Sequence, residues 1–499
     1  MTRAAFALFA GIAVLVGTSN AAQAHAFGER YELPVPVWLF VVGGALTVTV
    51  TFVVVALFAR GGADRYAEAS LDLAPTALGR VLCHPLTRTI AKAIGVFVLA
   101  LTLVAGFFGN ADPLKNPAPT LVWVVWWYGF SYVVMLVGNP WPLVNPWRTL
   151  FDWAARANPR AHIRIRSGQN EPERYRAYPT WLEAWPAVGL LLVFYWLELI
   201  FPFSATPAVL GILIVLYSAV TWTGMAAYGP EAWLANVDPF HRVFDIFSRF
   251  APLAPADTRG AEPALVLRPY AAALLQRGQG HVSVAVACFV IAMLAGVLFD
   301  GLLGSGHWTA VENAVHALDP KLGDVGWIGV HTAAFLIFWL AVLGLFLLTC
   351  ALMAATAGGG IGALDYARAF AATLIPIAVG YHFAHTFSYL LIQGQAIVPL
   401  ISDPFGLGWD VFGTRDYKVN IMVMSTKTAW YLAVGAIVTG HSVSVYLAHV
   451  AADRLLANRA RALRCLVPMT VLMVVYTIVS LQILAEPLVR YSDPQETII

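Results

Sequence analysis

Charge is what this chain has least of. Asp, Glu, Lys and Arg together make up 12% of its 499 residues, about half the roughly 25% usual in soluble domains, while hydrophobic residues reach 59%. That balance excludes an ordinary water-soluble globule and points to a polytopic membrane protein. Cysteine is scarce as well. Cys83, Cys288, Cys350 and Cys465 show no CxxC spacing and two lie inside apolar runs, so neither a disulfide framework nor a thiolate zinc site is indicated. No basic run alternates with stacking aromatics and the formal net charge is only +2, which makes nucleic acid an unexpected partner. G-x-S-x-G, a Gly-rich phosphate loop followed by Lys, and H-E-x-x-H are all missing, which disfavours a nucleophilic serine enzyme and a nucleotide-driven pump.

What the chain does have is long apolar runs. Residues 1–24 carry Arg3, an apolar stretch from Ala4 to Gly17 and the A-x-A pattern Ala22-Gln23-Ala24, the form of a signal peptide. Runs near the 20-residue membrane-spanning length then fall at 36–59, 90–109, 119–138, 180–201, 207–228, 281–303, 328–356, 367–392, 428–450 and 465–486. The expected fold class is therefore all-α: one polytopic bundle of about ten transmembrane helices over residues 25–499. Segments assigned to the inside hold 22 Lys and Arg and those assigned to the outside hold seven, which predicts an N-out, C-out topology.

Two inner segments repeat one pattern, Val144-Asn145-Pro146-Trp147-Arg148 and Val237-Asp238-Pro239-Phe240-His241. Asn or Asp caps a helix and Pro suits its first position, so short interfacial helices are expected near 145–156 and 238–249. A looser copy at Asp403-Pro404-Phe405 is either a third unit or a coincidence. The stretch from Pro252 to Gly278 has the composition of a linker.

The candidate site is a set of histidines. His382 and His385 stand three residues apart in the middle of the eighth run, where a titratable pair is costly and by default functional. They lie about 60° apart around a helix and about 4.5 Å apart along it. His441 reaches similar depth on the ninth run, His331 lies near the outer end of the seventh, and His25 becomes the amino terminus after cleavage. These five are the candidate ligands of a divalent or copper ion; for His25 the alternative is a cleavage point with no further role. Interhelical hydrogen bonding and proton or cation passage are the other readings of the buried cluster. His449 is about 12 Å deeper than His441, too far to share an ion. A stacked two-haem arrangement needs histidines several turns apart, which His382 and His385 are not. Glu198 and Asp300 are candidate partners for a histidine, and Tyr381 and Tyr389 flank the pair.

Three stretches carry a resemblance: His25-Ala-Phe-Gly-Glu-Arg-Tyr-Glu-Leu-Pro-Val-Pro-Val-Trp-Leu, Tyr381-His-Phe-Ala-His385 and Asp403-Pro-Phe-Gly-Leu-Gly-Trp-Asp-Val-Phe-Gly-Thr414. With them the chain resembles, over nearly its whole length, the bacterial membrane proteins known as fenitrothion hydrolases. The resemblance implies a multi-pass protein of the bacterial inner membrane. It also implies hydrolysis of a lipophilic organophosphorus triester to a nitrophenol and a dialkyl thiophosphate; it brings no catalytic residues with it. A metal held by imidazoles would suit that chemistry by activating water. The competing expectation is a copper-binding or copper-moving membrane protein that captures its ion at His25.

Overall fold

The computed structural model describes residues 36–58, 61–157, 175–256, 264–276 and 282–485. The expected signal peptide and His25 lie outside them. Among the described residues nine helices are long and apolar enough to cross a membrane: α1 (Val37–Phe58), α2 (Pro85–Phe108), α3 (Pro117–Leu136), α6 (Pro207–Tyr228), α8 (Val284–Leu303), α10 (Asp324–Ala357), α11 (Ala363–Ser402), α12 (Thr426–Leu455) and α13 (Arg459–Ala485). The intervening numbers belong to α4 (Pro146–Ala157), α5 (Trp185–Leu199), α7 (Pro239–Ser248) and α9 (Gly306–Leu318). The all-helical membrane bundle is thus present, with one change to the expected ten runs. The fourth, expected over 180–201, forms only the 15-residue α5. Pro186 sits in its first turn, Glu183 just upstream has φ 40°, and Pro202 follows it. At 1.5 Å per residue α5 is about 22 Å long, short of the roughly 30 Å hydrocarbon core.

Burial follows the solvent that an apolar surface implies. α1 leaves Trp38, Val42, Leu46, Val50, Val54 and Leu57 exposed, an outward face suited to lipid. Its Thr47, Thr49 and Thr51 hydroxyls donate to carbonyls four residues back, which satisfies them inside an apolar phase. α8 is the opposite case, with the run from Ala287 to Gly296 buried throughout, and is a central post of the bundle. α11 and α12 approach closest where Gly380 meets Gly440: a Cβ on Gly380 would lie 2.6 Å from the Ala436 oxygen, and one on Gly440 2.4 Å from the Pro376 oxygen. Small residues at a crossing let membrane helices pack backbone to backbone.

Both short helices form as the caps predict. The Asn145 side chain accepts from the Arg148 amide at 3.1 Å and begins α4; Asp238 accepts from the His241 amide at 2.9 Å and begins α7. The third copy is a turn, with the Leu407 and Gly408 amides donating to the Asp403 carboxylate and Gly406 and Gly408 at positive φ. The stretch expected to be a linker instead adds structure. Leu253–Pro255 and Leu265–Leu267 pair antiparallel, and Leu71–Asp72 joins the outer edge of Leu265–Leu267.

The Lys- and Arg-rich segments meet at one end of the bundle. Arg454 bonds Asp64 at 2.6 Å, the Arg459 guanidinium donates to the Ala56 oxygen, the Val282 amide donates to the Arg368 oxygen, and Arg88, Lys92, Arg148 and Arg268 line one cavity. At the opposite end the Trp123 ring N–H donates to the Ser204 oxygen and Trp196 to Thr332. α5 and α8 run from the basic end toward this second end, where they present Glu198 and Asp300.

Candidate functional site

A titratable group in an apolar bundle must find a partner or stay neutral, and the structure shows what each histidine finds. His385, on α11, has its Nε2 3.0 Å from Asp300 Oδ2 on α8. A carboxylate only accepts, so Nε2 carries the proton and Nδ1 keeps its lone pair. His385 retains 17% and Asp300 30% side-chain exposure, so the pair is reachable rather than sealed. Tyr381 stacks on His385 with ring centroids 6.0 Å apart.

His382 lies less than a turn away but faces another wall. Its ring is packed between Tyr128 at 5.9 Å, Tyr132 at 5.8 Å and Phe247 at 5.7 Å, and its Nε2 is buried without a hydrogen-bond partner in the protein. The Tyr132 hydroxyl donates to the Phe383 oxygen at 3.1 Å and lies 3.0 Å from Thr386 Oγ1, which pins α3 to α11 beside the histidine. Tyr128 donates to Glu198 Oε1 at 2.7 Å, and Tyr389, 45% exposed, packs against Tyr128 at 5.6 Å. The Asp300 charge acts on Glu198, Tyr128, Tyr195 and Tyr389 as well as on both histidines. His385–Asp300 and Tyr128–Glu198 are therefore two arms of one polar chamber near the second end of the bundle.

The backbone of α3 helps to build that chamber. Residues Thr120–Phe130 are wound as a π-helix, a rare form that recurs at functional sites. The wider winding puts Trp126 and Phe130 toward an apolar cavity on one side while Tyr128 and Tyr132 meet His382 on the other. That apolar cavity has a volume of about 550 Å³ and is walled by α2, α3, α5, α6 and α7, with Trp123, Trp126, Phe194 and Phe240 among its lining.

The expected convergence of three histidines is not present. Among the described residues no three or more His, Cys, Asp or Glu side chains are grouped to hold a metal ion. The physical reason is rotational. His382 is enclosed by α3 and α7, His385 turns to α8, and His441 turns back on its own helix, with Nδ1 donating to the Ile437 oxygen at 2.8 Å. His331 donates to the Trp327 oxygen at 2.9 Å and is clamped by Trp308 and Trp327; no contact joins it to His382 or His385. His449 donates to the Val445 oxygen and packs on Phe52, away from the pair. His25 is outside the described residues.

Glu198 and Asp300, expected as possible partners, are both in the chamber. Tyr128, Tyr132, Thr386 and Phe247 were not legible as site residues. Their one sequence signal is that Tyr128 and Tyr132 are polar tips in an apolar run, which an aromatic belt explains equally well. Comparison with protein-family models, with curated proteins and with solved structures finds no match for this chain.

Proposed function

We propose that the chain is a membrane-embedded hydrolase of an uncharged, lipophilic organophosphorus triester, with the His385–Asp300 pair as its general base. The observation that carries this reading is the 3.0 Å bond between His385 Nε2 and Asp300 Oδ2, which leaves Nδ1 as a proton acceptor in a partly open chamber. A carboxylate behind an imidazole holds the tautomer and stabilises the imidazolium that forms on proton transfer. Water gives one proton to Nδ1, its oxygen bonds to phosphorus, and the P–O bond to the nitrophenol breaks with the electron pair leaving on the phenolate. The proton then passes from His385 to the product or to solvent. A nitrophenolate is a stable anion, so its departure needs no strong acid. The exposed Tyr389, which packs on Tyr128, can orient the phosphoryl group through its hydroxyl.

An apolar cavity lies on the other face of α3 and is lined by none of His382, His385, Asp300 or Glu198, so it bears on the substrate class only as a compartment for lipophilic solutes. Its 550 Å³ falls in the range of small-molecule sites, and its apolar walls suit a solute that partitions into the bilayer. By the Lys and Arg distribution the chamber lies nearer the outer face of the bacterial inner membrane.

The test is nitrophenol release from a dialkyl nitrophenyl phosphorothioate by purified protein in lipid nanodiscs, for wild type, His385→Ala and Asp300→Asn. Turnover by wild type that falls in both variants is expected. No turnover by wild type, or undiminished turnover by His385→Ala, overturns the assignment.

A further inference from the structure

A second, polar cavity lies at the basic end of the bundle and plays no part in that chemistry. It has a volume of about 930 Å³ and is bounded by the start of α2, the α3–α4 connection, α4, α7 and the small sheet. Arg88, Lys92, Arg148 and Arg268 line it against two carboxylates, Asp152 and Glu231. Both carboxylates are committed to one cation: Arg148 bonds Asp152 at 3.0 Å and Glu231 at 2.7 Å. Arg88 and Lys92 sit four residues apart on α2, where like charges repel, and neither has a carboxylate partner among the described residues. Arg268 gives Nε to the Ala251 oxygen and Nη2 to the Ser248 oxygen, which orients its guanidinium without neutralising it.

A buried donor completes the set. Asn145 is 1% exposed, its Oδ1 is used to cap α4, and its Nδ2 has no hydrogen-bond partner in the protein. A desolvated N–H left without an acceptor is costly, so this amide calls for an acceptor, and its residue lines the cavity. Phosphate oxygens are strong acceptors and match arginine and lysine in charge.

We propose that this cavity binds a phosphate-bearing anion, held by Arg88, Lys92 and Arg268 and by the Asn145 amide. The ligand is a phosphodiester or phosphomonoester, borne either by a lipid head group or by a free molecule. Its place at the basic end, beside the first turns of α2 and the interfacial α4, opens it to both sources.

The test is thermal unfolding of delipidated, purified protein with three probes: phosphatidylglycerol nanodiscs against phosphatidylcholine nanodiscs, glycerol 3-phosphate in detergent, and inorganic phosphate in detergent. A ligand that binds the folded state raises the melting temperature with its concentration. Stabilisation by phosphatidylglycerol alone assigns a lipid head group; stabilisation by the soluble phosphates assigns a free phosphate or its ester. In either case the effect should weaken at least threefold, in ligand concentration at half-shift, in the Arg88→Gln/Lys92→Gln variant and in Asn145→Ser, which keeps a capping oxygen but removes the amide donor. Stabilisation by none of the probes, or stabilisation unchanged in both variants, overturns the proposal and leaves the cavity to water. Nitrophenol release should be the same in these variants as in wild type, which separates this site from the His385 chamber.

Discussion

His385 and Asp300 are 85 positions apart in sequence and 3.0 Å apart in space, and their bond joins the central helix α8 to the helix that carries His382 and His385. It fixes the imidazole tautomer and leaves Nδ1 as the one nitrogen able to take a proton. The chemistry proposed here depends on that orientation.

Replacing Asp300 by Asn should keep the size of the partner and remove its charge. Catalysis is expected to fall by about 10²–10⁴-fold, the usual worth of a positioned general base, with little change in the melting temperature. Nitrophenol release and a thermal melt on the same sample check both halves.

Chelation makes a second test. With the base supplied by His385, prolonged dialysis against a strong chelator should leave turnover unchanged. Loss of activity that a divalent or copper ion restores would return His382 and His385 to the role of ligands, and metal analysis of the purified protein reads the same question directly.

The crossing of α11 and α12 should be intolerant of a single methyl group. Gly440→Ala places a Cβ 2.4 Å from the Pro376 oxygen, and such overpacking typically costs about 1–3 kcal/mol. Gly435→Ala, with no atom within 4 Å of the added carbon, should be neutral or slightly stabilising by helix propensity. Unfolding by denaturing detergent separates the two.

Acid should loosen the loop that follows α11 before it unfolds the bundle. Asp410 accepts from the Arg415 amide and from the Ser402 hydroxyl, and these bonds hold its carboxyl below the ordinary value of 3.8. A carboxylate whose folded value is depressed contributes stability that is present above the unfolded value and is lost as pH falls through the folded one. The protection of amides across 403–425, measured against their intrinsic exchange rates, should therefore be flat above about pH 5 and should fall below the ordinary value of 3.8. Asp410→Asn should remove that dependence.

Much of the bundle was legible because its signals are local. Spanning helices announce themselves by apolar length, and Asn145 and Asp238 by the proline that follows each. The α5 region was misjudged for a local reason too, since its apolar count is right but Pro186 and Pro202 clip the helix at both ends. The strands at Leu253–Pro255 and Leu265–Leu267 escaped because each is three residues long and the third strand, Leu71–Asp72, comes from a distant segment.

What the sequence determined by itself was the solvent and the inventory: a lipid-embedded helical chain, its basic segments, and a few titratable groups placed where only a reason for them would keep them. Depth along a helix follows from counting at 1.5 Å per residue, so His382, His385 and His441 could be set near one level, with Glu198 and Asp300 nearer the outer surface. Which of them meet was decided only in three dimensions. Meeting depends on each helix's rotation about its axis and on its neighbours, and those are set by packing such as the Gly380–Gly440 contact and the π-wound turn of α3. That rotation turned His441 toward Ile437, gave His382 to two tyrosines, and set His385 against Asp300.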